Sequence, residues 1–248
     1  MTDKPLSGKI ALVTGASRGI GYEAALSLAR AGAHIVAAAR TQGGLEELDD
    51  TIRAETGERA TLVPLDLAEG AHIDHLGGVI HERFGRLDIL IHAGATLGPL
   101  TPVAHLEPKQ WDRIVAVDFS SAYRLIRSFE PLLKAAPAGR AVFVTSGVAS
   151  RPRAFWGAYA ACKAGLEALV RSWADEIENS EVRAVILDPG RVRTRMRAEA
   201  FPAEDPNTLP HPSELGPLFV ELVQGDPGLP MSNVSASEWA AAKGRAPS

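Results

Sequence analysis

Tyr159 and Lys163 stand four residues apart in GAYAACKAGL (157–166), among small residues that favour a helix. That spacing puts a phenol and an ammonium one turn apart on the same helix face. Two plain readings are a half-buried tyrosine beside a solvated lysine, and a weak surface pair. The chemical reading is that the ammonium favours phenolate and lowers a pKa ordinarily near 10. A phenol tuned in this way gives or takes a proton at neutral pH. The spacing alone does not choose among the three, because Y-x-x-x-K is common by chance.

A second stretch, TGASRGIG (14–21), suits phosphate binding. Gly15, Gly19 and Gly21 permit a tight turn, close approach of a pyrophosphate, and close packing of a helix on a sheet. The stretch follows the apolar run KIALVT (9–14) and opens the helical pattern GYEAALSLARAG (21–32). In that context the helix aims unpaired N–H groups at an anion. A dinucleotide ribose with free hydroxyls is usually held by an acidic residue about twenty positions on. Here that region reads VAAARTQ, with Arg40 and no carboxylate, and Arg18 lies within the loop itself. Two guanidinium groups suit a 2′-phosphate, so NADP (NADPH) is favoured over NAD. The competing reading makes both arginines ordinary solvated residues.

Positioning these groups requires a scaffold, and its elements are legible. Near-continuous apolar runs predict strands at 9–14, 34–39, 60–66, 87–94, 140–146 and 182–188. Helical patterns fall between them near 21–32, 43–55, 72–84, 108–134 and 156–178. Alternation of this kind predicts an α/β fold: a doubly wound, mostly parallel sheet with helices on both faces, Rossmann-like. Residues 1–248 read as a single dinucleotide-binding and catalytic domain. The rhythm breaks after Pro189. FPAEDPNTLPHP (201–212) holds four prolines, and the expectation is a substrate lid over 195–226, with a short helix near 213–226. Residues 227–248 read as a loosely organised tail.

Composition narrows the function classes. The 248 residues are 46% hydrophobic and 23% charged, ordinary for a globular protein. A net charge of −4 argues against nucleic acid as a partner, and no apolar run reaches membrane-spanning length. The opening segment lacks a signal-peptide pattern, and the single cysteine, Cys162, allows no internal disulfide, so a cytoplasmic location is expected.

Taken in order, TGASRGIG, Asp66, Ala93-Gly94, Ser146, Tyr159-x-x-x-Lys163, Pro189-Gly190 and Thr194 resemble the compact short-chain dehydrogenases/reductases over about residues 8–197. The ending looks more like a smaller branch of bacterial oxidoreductases of unassigned substrate. The resemblance implies hydride transfer between nicotinamide and a carbonyl or alcohol carbon. Tyr159 is then the general acid/base, Ser146 a donor to the substrate oxygen, and Lys163 both a tuner of the phenol and a ligand of the nicotinamide ribose. It also implies a cofactor surface. Gly15, Ser17, Arg18, Gly19, Ile20 and Gly21 supply the first loop; Arg40, Asp66, Leu67, Ala93 and Gly94 follow the next strands. Pro189, Gly190, Val192 and Thr194 close it, with Tyr159 and Lys163 on the nicotinamide side. Two departures stand out. The family often has asparagine where this chain has Asp118, ordering water near the lysine, so a shifted pH optimum is expected. His92 stands where N-A-G usually begins with asparagine, and reads as a hydrogen-bonded core histidine rather than a base or a metal ligand.

Arg151, Arg153, Arg191, Arg193, Arg195 and Arg197 crowd the expected mouth. They are either solvated and paired surface charges or the attractor for an anionic small-molecule carbonyl or alcohol substrate. The resemblance also implies self-association through the two long helices, as a homodimer or homotetramer. A non-catalytic NADP-binding sensor or scaffold with the same fold stays open as the alternative function.

Overall fold

Short β-branched and aliphatic runs send alternate side chains to opposite faces of a sheet, and here both faces are covered. The computed structural model describes residues 4–225 and 231–244. Seven strands form one sheet: β1 (Ile10–Thr14), β2 (His34–Ala39), β3 (Thr61–Pro64), β4 (Ile89–His92), β5 (Arg140–Val144), β6 (Arg183–Asp188) and β7 (Met231–Ser235). Their order is β3-β2-β1-β4-β5-β6-β7, and every neighbouring pair is parallel. The order reverses between β1 and β4, the point at which such sheets open a crevice beyond their carboxyl ends.

Ala11, Val13, Ile89, Ile91, Val142 and Val185 face one layer, packed by α1 (Gly19–Arg30), α2 (Gln42–Thr56) and α8 (Gly216–Gln224). Leu12, Leu90, Phe143 and Ile186 face the other, under α3 (Gly70–Phe84), α5 (Ser121–Ala135) and α6 (Gly157–Glu176). Each fully buried Leu, Ile or Phe in these layers contributes roughly 1.5–3 kcal/mol.

Three expectations are corrected. The helix expected over 108–134 is interrupted. It runs as α4 (Pro108–Val115), a π turn (Ala116–Ser120) and α5. Within the turn the Asp118 carboxylate accepts from Thr96 N at 2.7 Å, and the Ser121 hydroxyl donates to the Val117 carbonyl at 2.6 Å. Both contacts come from tertiary neighbours or the backbone, which periodicity does not register. The tail expected over 227–248 instead supplies β7, in register with β6 from Ala184↔Met231 to Asp188↔Ser235, followed by α9 (Ala236–Ala242). MSNVS lacks the apolar run that makes the other strands legible. Residues 227–230 and 245–248 of that expected tail lie outside the described residues.

The segment expected as a lid divides in two. Residues 195–208 hold α7 (Arg195–Ala200) and a short 3-10 turn, largely exposed or half-buried. Leu215, Leu218, Phe219 and Val223 are instead buried against α1 and the sheet. The second half is therefore core rather than cover.

Candidate active site

One cavity of about 580 Å³ opens at the carboxyl ends of the strands. Every residue expected to hold cofactor or do chemistry lines it except Asp118, which is fully buried.

The glycine loop is tight for a physical reason. Gly15 has φ +71°, and a Cβ there would lie 2.7 Å from the backbone of Gly94, a clash no side chain accommodates. Arg18, preceding α1, gives it no side-chain cap, and no acidic residue sits in its first turn. The positive end of the helix thus faces the cavity uncompensated. Arg18 and Arg40 are exposed, line the same cavity, and form no ion pair among the described residues. These features fit a dinucleotide bearing an extra phosphate.

Asp66 is committed elsewhere. Arg113 donates to both its oxygens at 2.8 and 2.9 Å, and Ala68 N donates at 3.0 Å. Burial pushes this carboxyl up, but Arg113 and the Ala68 N–H outweigh it and hold it below the usual carboxylate range. Its side chain pairs with Arg113 from α4 and caps Ala68 N while still lining the cavity.

At the other end, Tyr159 and Lys163 project from α6, and Ser146 sits two residues beyond β5. Neither plain reading of the pair survives, since Lys163 is 2% exposed and Tyr159 7%. The Lys163 ammonium donates to the Val144 carbonyl at 2.9 Å and lies 5.7 Å from the Tyr159 ring centre. Burial lowers its pKa, with Asp118 opposing.

The expected lowering of the phenol is not the net outcome. Burial raises the Tyr159 pKa above its ordinary value, Asp118 and Asp188 add to the rise, and the nearby Ser146 opposes it. The ammonium is turned to a carbonyl and partly balanced by a carboxyl.

Asp118 is the least ordinary group in the site. One oxygen accepts from Thr96 N, while Oδ2 has no hydrogen-bond partner among the described residues. Burial raises its pKa to about 7, against the pull of Lys163 and the Thr96 N–H. A carboxyl at this position keeps its proton to higher pH than an ordinary aspartate does. Cys162, next to Lys163, is pushed up to about 11 by burial and Asp118; its thiol fills space.

Three of the six arginines of the cluster are paired, two of them with one carboxylate. Arg197 holds Glu204 through two bonds of 2.5 and 2.6 Å, Arg191 lies 3.8 Å from the same carboxylate, and Arg195 pairs with Glu199 at 2.8 Å. Arg193 lines the cavity without an ion pair among the described residues, whereas Arg151 and Arg153 do not line it.

Sequence reading missed an aromatic wall. The Arg197 guanidinium lies 3.8 Å over the Phe201 ring, Phe201 packs on Trp156 at 5.7 Å, and Trp156 meets Tyr159 edge-on at 6.1 Å. No periodicity links residues 156 and 201. The only available signal was the position of Trp156 just ahead of the Tyr159 helix.

Among the described residues, no group of three His, Cys, Asp or Glu could hold a metal, and no helix is long and apolar enough to cross a membrane.

Residues 9–205 match the family model for short chain dehydrogenase. An uncharacterised oxidoreductase of Escherichia coli K12, YciK, is 37% identical over 223 residues, covering 89% of this chain and 88% of that protein. A short-chain dehydrogenase of Shigella flexneri 2a, solved with NADP, superposes with a TM-score of 0.89 at 35% identity, covering 95% of this chain and 100% of the other. A counterpart from Escherichia coli CFT073, solved with NADPH, gives 0.88 at 35% identity, with 95% and 99% covered. On its sequence match, its parallel sheet and its clustered serine, tyrosine and lysine, the chain belongs to the short-chain dehydrogenase/reductase family of oxidoreductases acting on CH–OH and C=O groups.

Proposed function

We propose that this protein is an NADP-dependent oxidoreductase of carbonyl compounds and secondary alcohols, with Tyr159 as its general acid/base. The observation that carries the reading is the convergence of Ser146, Tyr159 and Lys163 on the same cavity as the glycine loop. When bound, the nicotinamide supplies or takes up the hydride, and its oxidised ring adds positive charge beside the phenol. Gly15, Gly19 and the open N-terminus of α1 seat the phosphates, and Arg18 and Arg40 take the 2′-phosphate. Ser146, lining the same cavity as the phenol, donates to the substrate oxygen as charge builds there. Tyr159 passes its proton to that oxygen during reduction and recovers one during oxidation. Lys163, anchored on the Val144 carbonyl, orients the ribose and stabilises phenolate. A single catalytic domain, a cytoplasmic location and a homo-oligomer belong to the same reading. The exposed Trp111 and Tyr123 on α4 and α5 suit a subunit contact. We assign the lid to residues 195–208, latched over Tyr159 by Arg197, Phe201 and Trp156.

The test is NADPH oxidation across a broad ketone panel, with NADH alongside. Turnover with none of the panel would favour a non-catalytic NADP-binding protein. Replacing Arg40 and Arg18 together with alanine is expected to weaken NADPH binding by roughly 10- to 100-fold, the usual worth of a charged hydrogen bond. NADH binding should change little, and titration of both cofactors by fluorescence checks this. Equal losses for the two would remove these arginines from the 2′-phosphate.

The substrate is proposed to be of low charge, because three of the four arginines after Gly190 are already paired. Raising the salt concentration should therefore change kcat/KM for an anionic ketone and for a neutral one by similar factors. A steep fall confined to the anionic ketone would restore an electrostatic attractor at Arg193.

A further inference from the structure

Beneath the site runs a chain of hydrogen bonds in which no member is charged. The Ser121 hydroxyl donates to the Val117 carbonyl at 2.6 Å, so its oxygen is left to accept from His92 Nε2 at 3.3 Å. With the proton on Nε2, the ring's Nδ1 is an acceptor, and the Thr14 hydroxyl donates to it at 2.8 Å. The Thr14 oxygen in turn accepts from Gly94 N at 3.5 Å. Thr14, His92 and Ser121 are all buried, at 0%, 1% and 1% exposure. The hydroxyl assignments leave the histidine one neutral tautomer.

The ends of the chain give it meaning. Gly94 lines the cavity against Gly15, and Val117 precedes Asp118 inside the π turn. We infer that His92 is a positioning residue that ties the cofactor cradle to the π turn, and so fixes where the Asp118 carboxyl stands relative to Lys163. This rests on the reading of Tyr159, Lys163 and Asp118 given above.

The surroundings keep the ring neutral. Burial first, then the Lys163 charge, hold its pKa down to about 3. The Phe143 ring from β5 meets it edge-on at 5.9 Å. Asp118 in turn is faced by Lys163, Tyr159 and Cys162 from α6 and by the Thr96 N–H. Through Ser121, His92 can move Asp118 within that field without itself titrating.

The experiment uses the full chain with ¹⁵N-labelled histidine. In the wild type, the His92 ring nitrogens should report one Nε2–H tautomer, unchanged from about pH 5 to 9. The other tautomer, or exchange between the two, overturns the inference. Ser121→Ala should release the tautomer preference and lower kcat about tenfold, with the NADPH dissociation constant nearly unchanged. It should also displace the Asp118 ionisation, read both in the pH–rate profile and in the pH dependence of thermal stability. Ser121→Thr should restore each of these. A Ser121→Ala protein with wild-type pH profiles overturns the link to Asp118. Because tautomer and stability are read without turnover, a failure here is distinguishable from a failure of the proposed activity.

Discussion

Tyr159→Phe is expected to lower kcat by about 10²–10⁴, the usual worth of general acid–base catalysis. The substitution removes one oxygen and leaves the ring. Tyr159 is 7% exposed and packs edge-on against Trp156, contacts that phenylalanine keeps. The dissociation constant for NADPH and the melting temperature should therefore stay close to wild type, which separates a chemical loss from a structural one. Because burial and Asp118 raise the phenol's pKa, the site by itself stabilises the protonated form. That suits Tyr159 to give a proton in the reductive direction. Alcohol oxidation, which begins from phenolate, should then have the more alkaline optimum. Steady-state kinetics in both directions, with binding measured separately, checks all three outcomes. A phenylalanine variant with undiminished turnover would remove Tyr159 from the chemistry.

Asp118→Asn carries the second large effect, and its sign follows from linkage. The folded-state pKa of about 7 lies above the ordinary 3.8, so the native state holds a proton that the unfolded state has released. Between these values the wild type loses about 1.4 kcal/mol of stability per pH unit relative to a residue that does not titrate. Below the ordinary value both states are protonated and no loss arises; above the folded value the loss is complete. Removing the carboxylate also leaves Lys163 with less support for its charge, and this acts in the same direction as pH rises. The melting temperature of Asp118→Asn, relative to wild type, should rise by roughly 5–10 °C between pH 5 and pH 8. Asp118 is also one cause of the raised Tyr159 pKa. The rising limb of alcohol oxidation in the variant should accordingly move to lower pH. A constant melting offset together with an unmoved limb would place Asp118 outside the field of Tyr159 and Lys163.

Residue order and type were enough to read the strands β1 to β6, most helices, the glycine loop and the Tyr–Lys pair. Each of these is encoded locally. An apolar run buried on both faces, a helix entered through glycines, and two side chains one turn apart leave their pattern within a few neighbouring residues. The cavity gathers the expected cofactor and catalytic residues, Asp118 excepted, because the parallel order delivers the ends of several strands to one edge. Features that depend on residues far apart in the chain were not legible. The strand Met231–Ser235 shows no apolar run, and only its pairing with β6 reveals it. The π turn is held by the Thr96 N–H on Asp118 and by the Ser121 hydroxyl on the Val117 carbonyl. The arginines read as free positive charge until Glu199 and Glu204 arrive beside them.

The sequence by itself determined which runs become strands, the glycine turn after β1 and the one-turn spacing of Tyr159 and Lys163, because each leaves its pattern within a few neighbouring residues. Tertiary structure alone decided the protonation of that pair. Burial sets the cost of charge, and burial together with the Asp118, Lys163 and Val144 partners is assembled from β4, β5, the π turn and α6. A titration equilibrium is a property of that assembled surrounding, and neighbours along the chain do not specify it.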